Sequence, residues 1–314
     1  MHFIDASSLR SVLDFPSLMA ALRVAFSREW HSPQRSSYEI GSIGRCLLMP
    51  AWRAGEFLGV KIANVFPGNK TVGLPTVNAV YLLMCGQTGR VLATMDGDEL
   101  TALRTAAVSA LAADLLARPG ARHVLIVGAG RVAKYLALAH AQRIAEPCIS
   151  IWARDHVKAR ALANELGRSG LSVDLSFDLA FAVERADIVS CATLATEPLI
   201  RGQWLRPGVH LDLVGSFTRN MRESDDLAVA RSVVFVDEMG AANIEAGDIV
   251  QPLMAGVITP SHVKGDLAAL CSGACSGRRA DEDITMFKSV GLAVEDIAAA
   301  VLAYDRLVAG PHAG

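Results

Sequence analysis

The sequence lacks several features that would place it in a specialised class of protein. Its 314 residues carry 30 Lys and Arg against 32 Asp and Glu, and without a strongly basic block a nucleic acid is not an expected partner. No stretch approaches 18 uninterrupted apolar residues, and the first residues include Asp5, so neither a membrane span nor a signal peptide is expected. We therefore expect a soluble cytoplasmic protein. Its length suffices for one large or two ordinary domains, and 52% hydrophobic residues suffice for a sizeable core.

Cysteine is scarce, and its spacing predicts neither a disulfide framework nor a metal site. Only Cys271 and Cys275 lie close together among the six cysteines. No neighbouring Cys or His completes a zinc site around this pair. We therefore expect free thiols in a reducing compartment and no bound metal.

The most informative motif is VLIVGAGRVA, residues 124–133. A run of branched apolar residues, typical of a strand, leads into glycines, and a helical pattern follows. In a dinucleotide-binding turn, Gly128 permits the tight turn, Gly130 lets the backbone approach a pyrophosphate, and Ala133 lets helix and strand pack closely. The first helical turn, whose N–H groups would face the anion, comprises Arg131, Val132 and Ala133. A plain glycine turn is the alternative.

Strands and helices alternate from residue 124 onward. The pattern predicts helices over about 131–145, 156–167 and 178–185. It predicts strands over 124–127, 148–153, 171–175, 187–193, 209–215 and 232–237. This alternation predicts the α/β class, with a Rossmann-type, doubly wound parallel sheet.

The two ends of the chain show a different pattern. A helix after Pro16 precedes three long strands in series, predicted over 46–52, 57–66 and 77–85. A strand and a long helix near the C-terminus have no place in the alternating part, and we expect them to return to the first unit. The predicted domains are therefore an α+β domain of residues 1–118 plus 284–314, and a dinucleotide-binding domain of residues 119–283.

Arg104 interrupts the apolar side of a helix predicted over 98–117. At about 100° per residue, one stripe contains Arg104 together with Leu100, Leu103, Ala107, Val108, Leu111 and Leu115. A guanidinium is costly to bury without an anion, and Asp114 is about 15 Å away along the helix. Arg104 therefore either binds a ligand carboxylate or phosphate, or forms an internal salt bridge, or reaches solvent. If the protein's own aspartate or glutamate caps this group, or if it is turned out to bulk water, the proposed ligand chemistry has no anchor.

Lys61 interrupts the strand FLGVKIANV between Val60 and Ile62. Alternation alone favours a solvent-facing lysine here. An inward-facing lysine would have a lowered pKa and could transfer a proton.

The end of the second strand of the alternating part bears on the cofactor. In this fold an acid at that position holds the ribose 2′-hydroxyl of NAD, whereas an Arg nearby suits the 2′-phosphate of NADP. Ala153 stands where the acid is expected and Arg154 follows, which favours NADP(H) over NAD(H). Asp155 would serve as the ribose acid if the strand ended two residues later, and Arg154 would then be an exposed loop cation.

Several segments together resemble the ornithine cyclodeaminase/mu-crystallin family. These are LTALRTAAVSALAADLLARPG (100–120), GVKIANVFP (59–67), LVGSFTRNMRESD (213–225) and MFKSVGLAVEDIAAA (286–300). The resemblance covers nearly the whole chain. It implies a homodimer in which the α+β domain pairs with its twin and binds the substrate, and a Rossmann domain that binds a nicotinamide.

The resemblance also implies roles for individual residues. Lys61, Arg104 and Arg35 fall at catalytic and substrate-binding positions, with the two arginines as carboxylate ligands, and Val290 falls at a position that touches substrate. The positions that line the cofactor are Thr76, Thr105, Thr193, Leu213, Val214 and Ser289.

Two departures from the family pattern bear on the reaction. Ornithine cyclodeaminases carry an aspartate where this chain has Phe217, and a glutamate where it has Leu47. The loss of both acids suits a substrate without a distal ammonium and resembles the ketimine reductase branch, which reduces Δ1-pyrroline-2-carboxylate or Δ1-piperideine-2-carboxylate. Lys61 is then the candidate proton donor. The alternatives are ornithine cyclodeamination with NAD, an alanine-dehydrogenase-like oxidoreductase, and an NADPH-binding protein of mu-crystallin type without catalysis.

Overall fold

The computed structural model describes residues 1–309, which belong to two compact units. Unit 1 comprises residues 1–104 together with those from 292 onward, and unit 2 comprises residues 105–291. The sequence placed the divisions at 118/119 and 283/284, whereas the structure places them at 104/105 and 291/292. Among the described residues, no helix is both long and apolar enough to cross a membrane.

The secondary structure is as follows. The strands are β1 (His2–Ile4), β2 (Ser36–Ile40), β3 (Gly44–Arg53), β4 (Phe57–Val65), β5 (Val77–Cys85), β6 (Val91–Asp96), β7 (His123–Val127), β8 (Cys148–Trp152), β9 (Val173–Leu175), β10 (Ile188–Cys191), β11 (His210–Leu213), β12 (Val233–Val236), β13 (Val263–Asp266) and β14 (Thr285–Lys288). The α-helices are α1 (Ala6–Val12), α2 (Phe15–Phe26), α3 (Gly97–Leu116), α4 (Arg131–Arg143), α5 (His156–Arg168), α6 (Leu179–Arg185), α7 (Asp226–Arg231), α8 (Met239–Glu245), α9 (Gly247–Met254), α10 (Leu267–Ser272) and α11 (Ala293–Tyr304).

Unit 1 is built on a sheet with the strand order β1-β6-β5-β4-β3-β2, in which β2 to β6 are antiparallel neighbours and β1 pairs in parallel with β6. The mostly antiparallel pattern was predicted, but β1, β2 and β6 were not. Helix α11 packs on β3, β4 and β5, and against α2. Met49, Lys61 and Tyr81 lie directly opposite one another on three neighbouring strands and are all buried.

Unit 2 contains the predicted parallel sheet, with the order β13-β12-β14-β11-β10-β7-β8-β9. Strands β8 and β9 lie on one side of β7, and β10 and β11 on the other. The strand order therefore reverses between β7 and β10, where doubly wound folds bind their ligands. The α/β fold class is confirmed.

The strand predicted near residue 285 was assigned to the wrong part of the chain. It forms β14, which pairs in parallel with β11 and β12 inside the unit 2 sheet rather than returning to unit 1. All four residues of β14 are buried, as expected for a strand of a parallel sheet that is covered on both faces. Strand β13 was not predicted at all, because Val263–Asp266 reads VKGD and lacks an apolar run.

Helix α3 is buried around nearly its whole circumference. Leu100, Leu103 and Leu111 of the predicted stripe are buried and Leu115 is half-buried. Outside the stripe, Ala102, Ala106, Ala110 and Ala113 are buried as well. Small side chains bury without contributing to amphipathic periodicity, so the pattern underestimated how much of this helix is covered. Asp114 is the one exposed residue of this helix, and it forms an ion pair with Arg143 at 2.9 Å.

His140 on α4 predicts a loss of stability in acid. Burial, with the charge of Arg143 adding, lowers the pKa of His140 to about 3. Because the unfolded chain takes up this proton near pH 6.5 and the folded chain does not, the free energy of unfolding should fall below pH 6.5 by about 1.4 kcal/mol per pH unit. We expect His140→Leu to reduce this slope in urea titrations between pH 6 and 4.

The matched control is His156→Gln, at an exposed position of α5, which should keep the wild-type slope. Equal slopes for wild type and His140→Leu would contradict the assignment of this pH dependence to His140.

Candidate functional site

The glycine turn of unit 2 lies at the point where the strand order reverses. Gly128 follows β7 with φ +129°, a conformation that side chains rarely adopt. A Cβ at this position would lie 2.7 Å from the carbonyl oxygen of Ala192, just beyond β10. The turn therefore needs glycine for both backbone conformation and space.

The start of α4 fits the pyrophosphate of a dinucleotide. Gly130 is the N-cap and provides no side-chain cap, and a Cβ there would meet nothing within 4 Å. Arg131 and Val132 begin the helix, and Ala133, the next residue of its first turn, is fully buried. Open space in front of an uncapped helical turn is the geometry that accepts an anion.

The end of β8 places the residues that bear on the choice of cofactor. The strand ends at Trp152, and Ala153 is buried while Arg154 is exposed. The carboxylate of Asp155 caps α5, because it accepts hydrogen bonds from the N–H groups of Val157 and Lys158, both at 3.1 Å. Asp155 thus has a structural task at this helix.

A buried glutamate organises the loops after β10 and β11. Glu223 accepts hydrogen bonds from the backbone N–H and hydroxyl of Thr193, at 2.7 and 2.8 Å, and from the N–H of Gly215 at 2.8 Å. Burial raises the pKa of Glu223 to about 7, with Lys288 opposing this and Asp248 adding to it. Leu213 and Val214, predicted to line the cofactor, lie directly before Gly215; the Leu213 carbonyl accepts from Lys288 Nζ at 3.0 Å.

A buried aspartate organises the turn that follows β14. Asp237 Oδ2 accepts hydrogen bonds from the Ser289 hydroxyl at 2.9 Å and from the N–H groups of Val290 and Gly291 at 2.7 and 2.8 Å. Burial raises the pKa of Asp237 despite these bonds. Ser289 and Val290, predicted as cofactor and substrate positions, are thus fixed by a residue that sequence reasoning missed.

In unit 1, Lys61 is buried, so the solvent-facing orientation that alternation alone favoured was wrong, while the catalytic role that the resemblance implies stays a prediction. Its side chain is 4% exposed, and Nζ lies 2.7 Å from Asp296 Oδ2. Burial lowers the pKa of Lys61 to about 8, with Asp296 opposing this and the positive charges of Arg104 and Arg35 adding to it. At this pKa the ammonium can lose a proton near neutral pH.

Arg104 is neutralised by the protein's own acids. Its Nε donates to Asp296 Oδ1 at 2.8 Å and its Nη1 to Glu295 Oε2 at 2.5 Å, and both carboxylates are fully buried. Of the three alternatives that the apolar stripe left open for Arg104, the internal salt bridge is therefore the correct one. The expectation that only a ligand could neutralise this guanidinium was wrong. Burial alone would raise the pKa of Asp296, but Lys61 and Arg104 outweigh it and hold this pKa below its usual range.

The remaining predicted residues are distributed over both units. Arg35 lies directly before β2 and is near enough for its charge to act on Lys61. Thr76, which directly precedes β5, is half-buried, and its carbonyl accepts from the Phe66 N–H at 2.8 Å. Thr105 of α3 is buried. Phe217 is half-buried in the loop that follows β11.

Leu47 lies on the same face of the unit 1 sheet as Lys61. Leu47 is opposite Ala63, and Met49 is opposite Lys61, on the paired strands β3 and β4. Since residues two apart on a strand share a face, Leu47 provides an apolar side chain on the lysine's side of the sheet.

In unit 1, Glu295 and Asp296 are the site residues that the sequence did not reveal. They stand together in the first turn of α11, within the otherwise apolar segment LAVEDIAAA. Two adjacent acids inside an apolar helix are the signal that could have identified them, because carboxylates are rarely fully buried unless they are paired.

Comparison with known proteins gives a consistent picture. The sequence profile described as the ornithine cyclodeaminase/mu-crystallin family matches residues 6–311. A Delta(1)-pyrroline-2-carboxylate reductase of Paracoccus denitrificans is 41% identical over 257 residues, which are 81% of each chain.

Two solved structures share the fold over 98% of this chain. The Delta(1)-pyrroline-2-carboxylate reductase of Thermococcus litoralis, in complex with NADH and L-proline, is 33% identical over 98% of its own chain with a TM-score of 0.93. An archaeal alanine dehydrogenase dimer with bound NAD is 27% identical over 96% of its own chain with a TM-score of 0.91.

Proposed function

Because the chain belongs to the ornithine cyclodeaminase/mu-crystallin family, we propose that it reduces cyclic imino acids. The substrates are Δ1-pyrroline-2-carboxylate and Δ1-piperideine-2-carboxylate, and the products are L-proline and L-pipecolate. The observation that carries the proposal is the buried Lys61, whose pKa is about 8, beside the guanidinium of Arg104. The names of the reductase relatives support it.

Reduction of the C=N bond needs a hydride at carbon and a proton at nitrogen. A bound nicotinamide supplies the hydride, and the turn at Gly128 and Gly130 would hold its pyrophosphate. Lys61 donates the proton, directly or through one water. A donor with a pKa near the working pH is protonated often enough to act and acidic enough to release its proton.

In this proposal Arg35 and Arg104 bind the substrate carboxylate together. Arg104 already has its own counter-charges, so its part is to orient the carboxylate rather than to be neutralised by it. Glu295 and Asp296 hold the Arg104 side chain in place through the bonds at Nη1 and Nε. A guanidinium that is fixed before binding loses little side-chain freedom when the ligand arrives, and it positions the ligand more accurately. Such positioning is worth several kcal/mol of the barrier (about 7–11 in the most favourable cases).

The apolar side chains at Leu47 and Phe217 disfavour ornithine as the substrate. A distal ammonium is costly to bury without an anion, and Leu47 on the lysine's face of the sheet supplies none. The alanine dehydrogenase neighbour, at 27% identity, makes pyruvate with ammonia the second candidate substrate. Tight NADPH binding without turnover would instead indicate a non-enzymatic role of mu-crystallin type.

The proposed activity is tested by NADPH oxidation at 340 nm with each cyclic imine. We expect turnover with at least one of them, with kcat falling as the pH rises through about 8, where Lys61 loses its proton. Lys61→Met should lower kcat by about 100- to 10,000-fold, the usual contribution of a positioned acid.

Lys264→Met, at an exposed position of β13, is the control and should behave as wild type. If neither imine is turned over, ammonia release from ornithine would favour ornithine cyclodeamination, and turnover of pyruvate with ammonia would favour an alanine-dehydrogenase-like activity. Either result would refute the proposal.

We further propose that the chain accepts both nicotinamides and prefers NADP(H). Two neighbours bind NADH or NAD⁺, which supports use of the unphosphorylated form. The exposed Arg154 after β8 and the helix-capping Asp155 support a site suited to a 2′-phosphate.

Replacing Arg154 tests this preference. We expect Arg154→Ala to raise the KM for NADPH by about 10- to 100-fold, because a charged hydrogen bond contributes about 1.5–3 kcal/mol, and to leave the KM for NADH unchanged. Arg160→Ala, at an exposed position of α5, is the matched control. Equal losses for the two cofactors would reject the preference.

We also propose a homodimer that forms through unit 1. One face of its sheet is buried, whereas the other is apolar and only half-buried in the single chain. The cross-strand rows on the half-buried face are Leu48–Ile62–Val80 and Pro50–Val60–Leu82. A continuous apolar surface of this kind is typical of an interaction site, and the alanine dehydrogenase neighbour is a dimer.

A charge on this face should prevent association. We expect light scattering to give twice the monomer mass for wild type and the monomer mass for Ile62→Lys. Phe181→Lys, at an exposed position of α6, should remain dimeric. A monomeric wild type, or a dimeric Ile62→Lys, would overturn the proposed interface.

A further inference from the structure

Asp296 contacts both functional cations of unit 1. Its Oδ1 accepts from Arg104 Nε at 2.8 Å and its Oδ2 lies 2.7 Å from Lys61 Nζ. The lysine comes from strand β4, the arginine from helix α3 and the aspartate from the first turn of α11. One fully buried carboxylate therefore links two cations that are far apart in the sequence.

We propose that Asp296 is a positioning residue for imine reduction, which holds the proton donor Lys61 and the carboxylate-binding Arg104 at a fixed separation. This inference rests on the proposed function. In a 2-carboxylated cyclic imine, the carboxyl carbon is bonded to the imine carbon, so the nitrogen and the carboxylate keep one spacing. A protein that protonates the nitrogen while it binds the carboxylate needs its two cations at a matching spacing, and a shared carboxylate provides it.

Stability is a weak explanation for this arrangement. Removing charges from water is costly, and buried ion pairs replaced by well-packed apolar residues often leave stability unchanged or increased. Arg104 also has a second acidic partner in Glu295, so Asp296 is not its sole counter-charge. The distinctive feature of Asp296 is that its carboxylate is shared with Lys61.

Charged and titratable groups approach Lys61 from several elements. Asp296 approaches from α11, where Glu295 precedes it, Arg104 from α3 and Arg35 from the segment before β2. Tyr81 lies directly opposite on β5; burial, with the charge of Asp296 adding, raises the pKa of its phenol well above the usual value. Among these groups, Asp296 supplies the attraction that keeps the lysine protonated against burial and two positive charges.

The direct test is the titration of Lys61 Nζ by NMR in protein labelled with 15N-lysine, assigned by its loss in Lys61→Met. We expect a wild-type pKa of about 8. In Asp296→Asn it should be about 1–3 units lower, the usual effect of removing an adjacent opposite charge. Glu295→Gln, whose carboxylate binds Arg104, is the matched control and should leave the lysine pKa near 8.

The pH dependence of kcat and the affinity for a substrate analogue would not change in these ways if Asp296 only stabilised the fold. With Δ1-pyrroline-2-carboxylate, Asp296→Asn should shift the alkaline limb of kcat to lower pH, whereas Glu295→Gln should raise KM and leave the limb in place. Pyrrole-2-carboxylate has the same ring and carboxylate but no reducible C=N bond. Its affinity by calorimetry should fall about tenfold in both variants, because both loosen Arg104, a loss of about 1.4 kcal/mol.

Asp296→Glu keeps the test valid if Asp296→Asn does not fold. The longer side chain retains the charge but changes the separation, so the lysine pKa should stay near 8 while kcat falls at least tenfold. An unchanged lysine pKa in Asp296→Asn, an equal shift in Glu295→Gln, or wild-type kcat in Asp296→Glu would overturn the inference. The NMR titration needs no substrate, so it tests the effect of Asp296 on Lys61 separately from activity. Failure of the wild type to reduce any imine would refute the proposed function, whatever the titration shows.

Discussion

The candidate chemistry of unit 1 depends on two carboxylates in the first turn of α11. Without Glu295 and Asp296, the burial of Lys61 beside Arg104 would place two like charges together in a region of low dielectric, at a large cost in free energy. With them, each buried cation has a carboxylate within 3 Å. Because Asp296 only partly offsets burial at Lys61, the lysine keeps a pKa near 8. A weaker counter-charge would leave it neutral, and a stronger one would leave it a poor acid.

Unit 2 uses buried acids in a different way. Glu223 and Asp237 bind mainly backbone N–H groups and hydroxyls in the loops that follow β10, β11 and β14. A carboxylate with two or three such donors fixes several points of a loop with one side chain. A Cβ on Gly215 would overlap with the backbone of Thr193 and with the Glu223 carboxylate, so the backbones of these two loops lie too close together for a side chain at this position. The loops at the carboxyl ends of the strands are thereby held in place at the edge where doubly wound sheets bind ligands.

The sequence predicted the parallel sheet of unit 2 well, because continuous apolar runs at regular spacing have few interpretations. It did not predict the place of β14, since strand order is set by contacts between distant segments. Local patterns also could not reveal the partners of Arg104. Glu295 and Asp296 lie about 190 residues away, and acids in a first helical turn are usually explained by the helix dipole. The buried guanidinium correctly indicated a nearby carboxylate, but the sequence did not show whether that carboxylate belongs to the protein or to a ligand.

Lys61 shows why alternation alone gave the wrong orientation for β4. The bulky residues of this strand, Leu58, Val60 and Ile62, suggested the core side, which left Lys61 on the solvent side together with Gly59 and Ala63. In the structure, the face with the small residues is the buried one. A Cβ at Gly59 would overlap with the Tyr81 hydroxyl, so the small residues make room for Tyr81, and the bulky residues lie on the half-buried outer face. The strand therefore turns Lys61 inward and presents its bulky apolar residues on a face that the single chain leaves only half-buried.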